Sequence, residues 1–141
     1  MVALIDTNVA INYLTNRDDE NRVASRRLME LCGKRTVNGY IASHSIPIIW
    51  YVLRKYPDQD RRKLLRDLCT ILTVVGVTHE EIMAALDQDD FADFEDCLQD
   101  QCAQDISADY IVTCNIRDYE KSIIPALTPI DFLKETETQD D

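Results

Sequence analysis

A chain of 141 residues, 45% of them hydrophobic, is long enough to bury one core and too short to build two domains. Its formal net charge of −11 hides an asymmetry: residues 1–66 carry 12 Lys and Arg against 7 Asp and Glu, whereas residues 67–141 carry 3 against 19. The five cysteines form no CxxC pair with His companions, which argues against structural zinc and for reduced thiols in a cytoplasmic protein, and no apolar run approaches membrane-spanning length.

The chain opens on Val2-Ala-Leu-Ile-Asp6, an apolar run ending on a carboxylate. Four apolar residues without polar alternation predict a central strand covered on both faces. Asp6 then stands at the strand's carboxyl end, where open α/β sheets bind ligands. The plainer reading makes Asp6 or Thr7 the cap of a helix through Val9, Ala10, Tyr13 and Leu14. Arg17-Asp18-Asp19-Glu20 reads as a loop, and Val23, Ala24, Leu28, Leu31 and Cys32 as the buried stripe of a second helix stopped by Gly33. Residues 37–42, interrupted by Asn38-Gly39, predict a second strand. Ser43 or Ser45 is the expected cap of a helix with Pro47 in its first turn and Ile46, Ile49, Trp50 and Leu53 inward.

Pro57 and Asp58 or Asp60 lead into a basic helix with Leu64, Leu65, Leu68, Cys69 and Leu72 inward and Arg61, Arg62, Lys63 and Arg66 outward. Those cations could contact phosphates, although two solvated faces of opposite sign are the simpler reading of charge alone. A third strand is expected over 73–77. Thr78-His79-Glu80-Glu81 is a capping box, leaving His79 an exposed first-turn residue. Phe91, Phe94, Leu98 and Cys102 form the expected inward stripe of the next helix, followed by a fourth strand over 110–114, a short fifth near 126–128 and a helix begun by Pro129. The predicted domain covers 1–134, with 135–141 an acidic, disordered tail.

Strands alternating with helices imply an α/β fold, a three-layer open parallel sheet with right-handed crossovers, and one edge that gathers every strand's carboxyl end. Asp6 would meet Thr113, Asn115 and Asp118 there. Asp89, Asp93, Asp96 and Asp100 follow at spacings of four, three and four, predicting one acidic helix face. Like charges so spaced cost a helix about 0.2–0.5 kcal/mol per pair, a repulsion that a hard divalent cation held by carboxylate oxygens would reverse. A solvated acidic face is the alternative for Asp89 and Asp100; Asp96 is the stronger ligand candidate.

Four motifs in order, Leu4-Ile-Asp6-Thr-Asn8-Val, Asp93-Phe-Glu95-Asp96-Cys-Leu-Gln, Tyr110-Ile-Val-Thr113-Cys-Asn115-Ile-Arg-Asp118-Tyr and Leu127-Thr-Pro-Ile-Asp-Phe-Leu, resemble the PIN-domain (PilT N-terminus) family over about Met1 to Lys134. The resemblance implies sheet order 3-2-1-4-5, an acidic cleft binding Mg²⁺ or Mn²⁺, and ribonuclease activity of the kind found in VapC-type toxins. Carried over, the metal ligands are Asp6, Asp96 and a carboxylate after the fourth strand, with Asp118 as that acid and Asn115 as a neutral oxygen ligand. The family's second acid, a Glu early in the third helix, has no counterpart: Ile48 stands there, and Glu95 or Asp93 would have to substitute. The implied function is a metal-dependent endoribonuclease acting on single-stranded RNA, served by Asp6, Asp96, Asp118, Thr113 and Asn115, with a small antitoxin or a second copy of the chain as candidate partner. The alternative is a catalytically silent PIN-like module that binds a protein or RNA. A phosphotransferase using Asp6 as nucleophile lacks a Lys after the fourth strand.

Overall fold

The computed structural model of the chain describes residues 1–17, 20–89, 91 and 93–139. Strands β1 (Val2–Ile5), β2 (Asn38–Ala42), β3 (Thr73–Val75), β4 (Tyr110–Val112) and β5 (Ala126–Leu127) form one sheet in the order β3-β2-β1-β4-β5, every neighbouring pair parallel. This is the order 3-2-1-4-5 that the family resemblance implies. β1 is central because its side chains are apolar on both faces. Ala3 and Ile5 join Ile41 and Val112 under α1 (Thr7–Thr15), α2 (Arg22–Gly33), α3 (Ser45–Val52), α4 (Asp58–Ile71) and α7 (Pro129–Gln139). Leu4, Ala42 and Ile111 point the other way, onto Cys102 and Ala103 of α6 (Phe94–Asp105) and Tyr119 of a 3₁₀ turn (Ile116–Tyr119). α5 (His79–Leu86) packs on α6.

Gly39 lies inside β2, so Asn38-Gly39 begin the strand and do not break it. A Cβ at Gly39 would stand 2.6 Å from both Cys32 Sγ and Leu72 Cδ2, so its absence lets β2 lie against α2 and the end of α4. The turn after α2 is made by Arg35 (φ 63°) and not by Gly33, the helix's last residue. The Arg35 guanidinium donates to the Ile71 and Thr70 carbonyls at 3.2 and 3.0 Å, capping the end of α4. The expected capping box is present: Thr78 Oγ1 accepts from Glu81 N, and Glu81 Oε1 from Thr78 N. Pro129 starts α7, and Phe132 from its first turns meets Tyr110 edge-on at 6.0 Å.

Other expectations are corrected by packing. Val23 is 80% exposed, because the stripe of α2 runs through Ala24, Ser25, Leu28, Met29 and Cys32. Cys69 is exposed on α4, and Phe94, the first residue of α6, is 44% exposed, with Phe91 before the helix taking the core position. Neither Ser43 nor Ser45 caps α3; Ser45 lies inside it, fully buried. Strands three and four stop at Val75 and Val112, short of the expected ends. α7 continues through Gln139, so residues 135–139 of the expected frayed tail are helical. Asp18 and Asp19 of the predicted loop, and Asp140 and Asp141 of the tail, lie outside the described residues. None of the five cysteines forms a disulfide, and among the described residues no helix is long and apolar enough to cross a membrane.

Candidate active site

The strand order reverses between β1 and β4, and the ends of these two strands open a crevice there. Their register pairs Ile5 with Val112, which sets the next residues, Asp6 and Thr113, side by side. Asp6 is 7% exposed. It caps α1, with Oδ1 accepting from Thr7 N at 2.8 Å, while Oδ2 accepts from Thr113 Oγ1 at 2.8 Å. The cap and the functional readings of Asp6 are therefore compatible. Burial pushes the Asp6 carboxyl above the usual carboxylate range, against the pull of the Thr113 hydroxyl and the Thr7 N–H.

α6 supplies the facing wall. Asp93 is its N-cap, Oδ1 accepting from Glu95 N at 3.0 Å, and Glu95 and Asp96 follow in the first turn. The predicted single face of four aspartates is therefore not formed: Asp89 precedes the helix, and Asp100 is buried elsewhere, held by Gln104 Nε2 at 2.8 Å and by the Ser122 hydroxyl. Asp93, Glu95 and Asp96 instead line one cleft of about 480 Å³ with Asp6, Asp118, Asn8 and Arg17. Burial first, then the charges of Asp118, Asp6, Asp93 and Glu95, push the Asp96 carboxyl up to about 7. Asn115 stands outside this lining and donates from Nδ2 to Asp118 Oδ1 at 3.1 Å, orienting the acid.

Behind the cleft, the sequence motif conceals a buried polar group. Gln99 is fully buried, and its Nε2 lies 3.3 Å from Asp6 Oδ1, 3.2 Å from Thr7 Oγ1 and 3.3 Å from Ser45 Oγ. The Thr7 and Ser45 hydroxyls are 2.7 Å apart, and Thr7 Oγ1 donates to Glu95 Oε1 at 3.3 Å. Tyr119 is also buried; its hydroxyl is pushed upward by burial and by the charges of Asp6 and Asp96, but makes no hydrogen bond of ordinary geometry among the described residues. Burial lowers His44, against the charge of Asp6.

The motif order, the strand order and this switch-point cleft agree with one family, and the sequence model of the PIN domain matches residues 2–117. The chain belongs to the PIN domain family. Solved structures resemble it in fold. A chain of the VapBC2 complex of Rickettsia felis, bound to a DNA fragment from its promoter, shares 15% identity at a TM-score of 0.66, over 91% of this chain and 98% of that one. A chain of a toxin–antitoxin complex from Klebsiella pneumoniae shares 19% identity at a TM-score of 0.65, over 90% and 97%. No curated protein matches the sequence.

PIN domains are typically nucleases and generally use divalent metal ions. In this PIN domain the donor chemistry suits such an ion: hard carboxylate oxygens turned toward one cleft, with Asp96 under the repulsion of four others. The acids are not gathered into a cage, since among the described residues no three or more His, Cys, Asp or Glu stand close enough to hold a metal. Ile48 does face the cleft, together with Val52. The position without its acid thus belongs to the site, and Asp93 and Glu95 line the same space. Thr7, Gln99 and Tyr119 lie within the recognised motifs and Ser45 does not, but none of the four carries a local sign of this placement in the sequence.

Proposed function

We propose that the chain is a Mg²⁺- or Mn²⁺-dependent endoribonuclease that hydrolyses single-stranded RNA, with the role of a toxin held in check by a small antitoxin in the cytoplasm. The observation that carries this reading is Asp96, pushed up to about 7 at the rim of a cleft where four other carboxylates surround it. Such a cluster is costly without a cation and becomes a ligand set with one. Asp6, Asp96 and Asp118, which line the cleft without forming a ligand cage, would draw together to hold the ion, with Glu95 or Asp93 standing in for the acid that Ile48 replaces and Asn115 orienting Asp118. When bound, the ion supplies charge neutralisation at the scissile phosphate and lowers the pKa of the attacking water. Thr113 favours the anionic form of Asp6 by donating to Oδ2, against the opposing effect of burial. Arg17 brings a cation to the lining, suited to a flanking phosphate.

The likeness to toxin–antitoxin structures supports the toxin role and the antitoxin partner. α3 and α4 support the polyanion: the Arg61 and Arg62 guanidiniums lie 4.0 and 5.4 Å from the Trp50 ring centre, and Tyr51, 64% exposed, carries Arg54 at 4.5 Å. Aromatic rings interleaved with guanidiniums, Tyr51 exposed and Trp50 half-buried, suit unpaired bases and their backbone. The silent binding module is favoured by Ile48 facing the cleft where an acid is missing.

Incubation of wild type and Asp96→Asn with single-stranded RNA, with and without Mn²⁺, separates the readings. Cleavage that needs both Mn²⁺ and Asp96 is the expected result. A wild type that binds Mn²⁺ and cleaves no RNA makes this a binding module.

A further inference from the structure

Resting on the metal-dependent reading above, we infer that Gln99 is the positioning residue of the site, holding Asp6 directly and Glu95 through two hydroxyls. Its amide joins side chains from three elements: Asp6 at the start of α1, Ser45 on α3, and Thr7, which in turn reaches Glu95 on α6.

The orientation of the amide follows from its neighbours. An ionised Asp6 only accepts, so the Gln99 nitrogen must face it. Nε2 has two hydrogens and three acceptors in reach, Asp6 Oδ1, Thr7 Oγ1 and Ser45 Oγ. Every donor is satisfied when Nε2 gives one hydrogen to Asp6 and the other to Ser45 or Thr7, the Ser45 hydroxyl donates to Thr7, and the Thr7 hydroxyl donates to Glu95. The chain of donors runs from Gln99 to both carboxylates and ends there.

Gln99 is 0% exposed, and its Oε1 has no hydrogen-bond partner among the described residues. A buried carbonyl without a partner is destabilising. A Leu or Met would fill the same space without that cost. An amide supplies what they cannot, a donor that fixes which way each anion faces. Because Gln99 sits one turn after Asp96 on α6, the acid at the rim and the donor behind it move as one rigid unit.

The test is Mn²⁺ affinity, read from the electron paramagnetic resonance of unbound Mn²⁺, beside the metal-free melting temperature, for wild type, Gln99→Met, Gln99→Glu and Ser45→Ala. Gln99→Met keeps the volume and removes the donor, so it is expected to fold and to weaken Mn²⁺ binding by about 10–100-fold, as loss of a partner behind a metal ligand does. Gln99→Glu keeps the shape but turns an acceptor toward Asp6, and should weaken binding although it adds an acid. Ser45→Ala severs only the branch to Glu95 and should have the smaller effect. Unchanged affinity in Gln99→Met overturns the inference, as does a lower melting temperature with affinity intact. Tighter binding in Gln99→Glu overturns it too, by making residue 99 a ligand. A wild type that binds no Mn²⁺ overturns the proposed function, and this inference with it.

Discussion

The two charged regions of this molecule are built in opposite ways. On α4 Arg62, Lys63 and Arg66 point into solvent, Arg62 pairing with Asp58 four residues earlier at 2.7 Å, and the half-buried Arg61 lies over Trp50 of α3. At the β1–β4 switch point the acids come from positions 6, 93, 95, 96 and 118, are half-buried or buried except Asp93, and press on one another. The first is the ordinary solvated face of a surface helix, worth little to stability. The second concentrates like charge where water cannot screen it, a cost that persists only when the arrangement serves something else. Charge that repels itself in a cleft therefore carries more functional information than charge that is merely abundant.

The largest effects should come from undoing that contrast. Asp96→Asn should abolish Mn²⁺-dependent stabilisation and any Mn²⁺-dependent RNA cleavage, yet raise the melting temperature of the metal-free protein at pH 8, because it removes one of five crowded charges. A lower metal-free melting temperature would show that Asp96 is structural. For the wild type, Mn²⁺ at a hundredfold its dissociation constant should add about 2.7 kcal/mol, read as a rise in melting temperature. No rise at millimolar Mn²⁺ would remove the cation from the cleft.

Thr113→Val deletes the donor to Asp6 Oδ2 and should cost about 1–3 kcal/mol of stability. Activity should fall further than that loss accounts for, as measured by comparing cleavage rates at a temperature where both proteins are folded. The metal-free wild type should also become less stable between about pH 4 and 7. The folded Asp96 carboxyl keeps its proton up to about 7, whereas the unfolded chain gives it up near 3.8, so stability is greatest below that lower value and is lost as pH rises through the upper one. Denaturant melts at intervals across that range check the slope, and Asp96→Asn should flatten it.

The smallest effect belongs to the basic flank. Charge reversal at Arg61, Arg62 and Lys63 should leave the fold nearly untouched, each exposed pair being worth about 0–1 kcal/mol. It should reduce the dependence of RNA affinity on salt by about 0.7 in log–log slope for each phosphate that these side chains no longer neutralise. An unchanged slope would place the RNA away from α4.

The sequence by itself determined whatever depends on neighbours a few residues apart. The apolar run of β1, the capping box at Thr78 and Pro129 at the start of α7 were readable because strand burial, helix caps and turns obey short-range rules, while strand order and family came from the resemblance that the four ordered motifs carry. Three of the acids, Asp6, Asp96 and Asp118, were legible for the same reason, each sitting at the end of a strand or at the start of a helix or helical turn. Tertiary structure decided the rest. Asp100 has the same helical spacing from Asp96 that suggested a shared face, yet it turns to Ser122, and Asp89 is not helical at all. Val23 and Phe94 fit apolar stripes and remain exposed, since a stripe predicts burial only when another element lies against it. Gln99, Thr7 and Ser45 meet across three helices, separated by as many as 92 residues, and nothing in the residues beside them encodes that meeting. It exists because the parallel crossovers bring the starts of α1, α3 and α6 to one edge of the sheet, where donors and carboxylates distant in sequence become each other's surroundings.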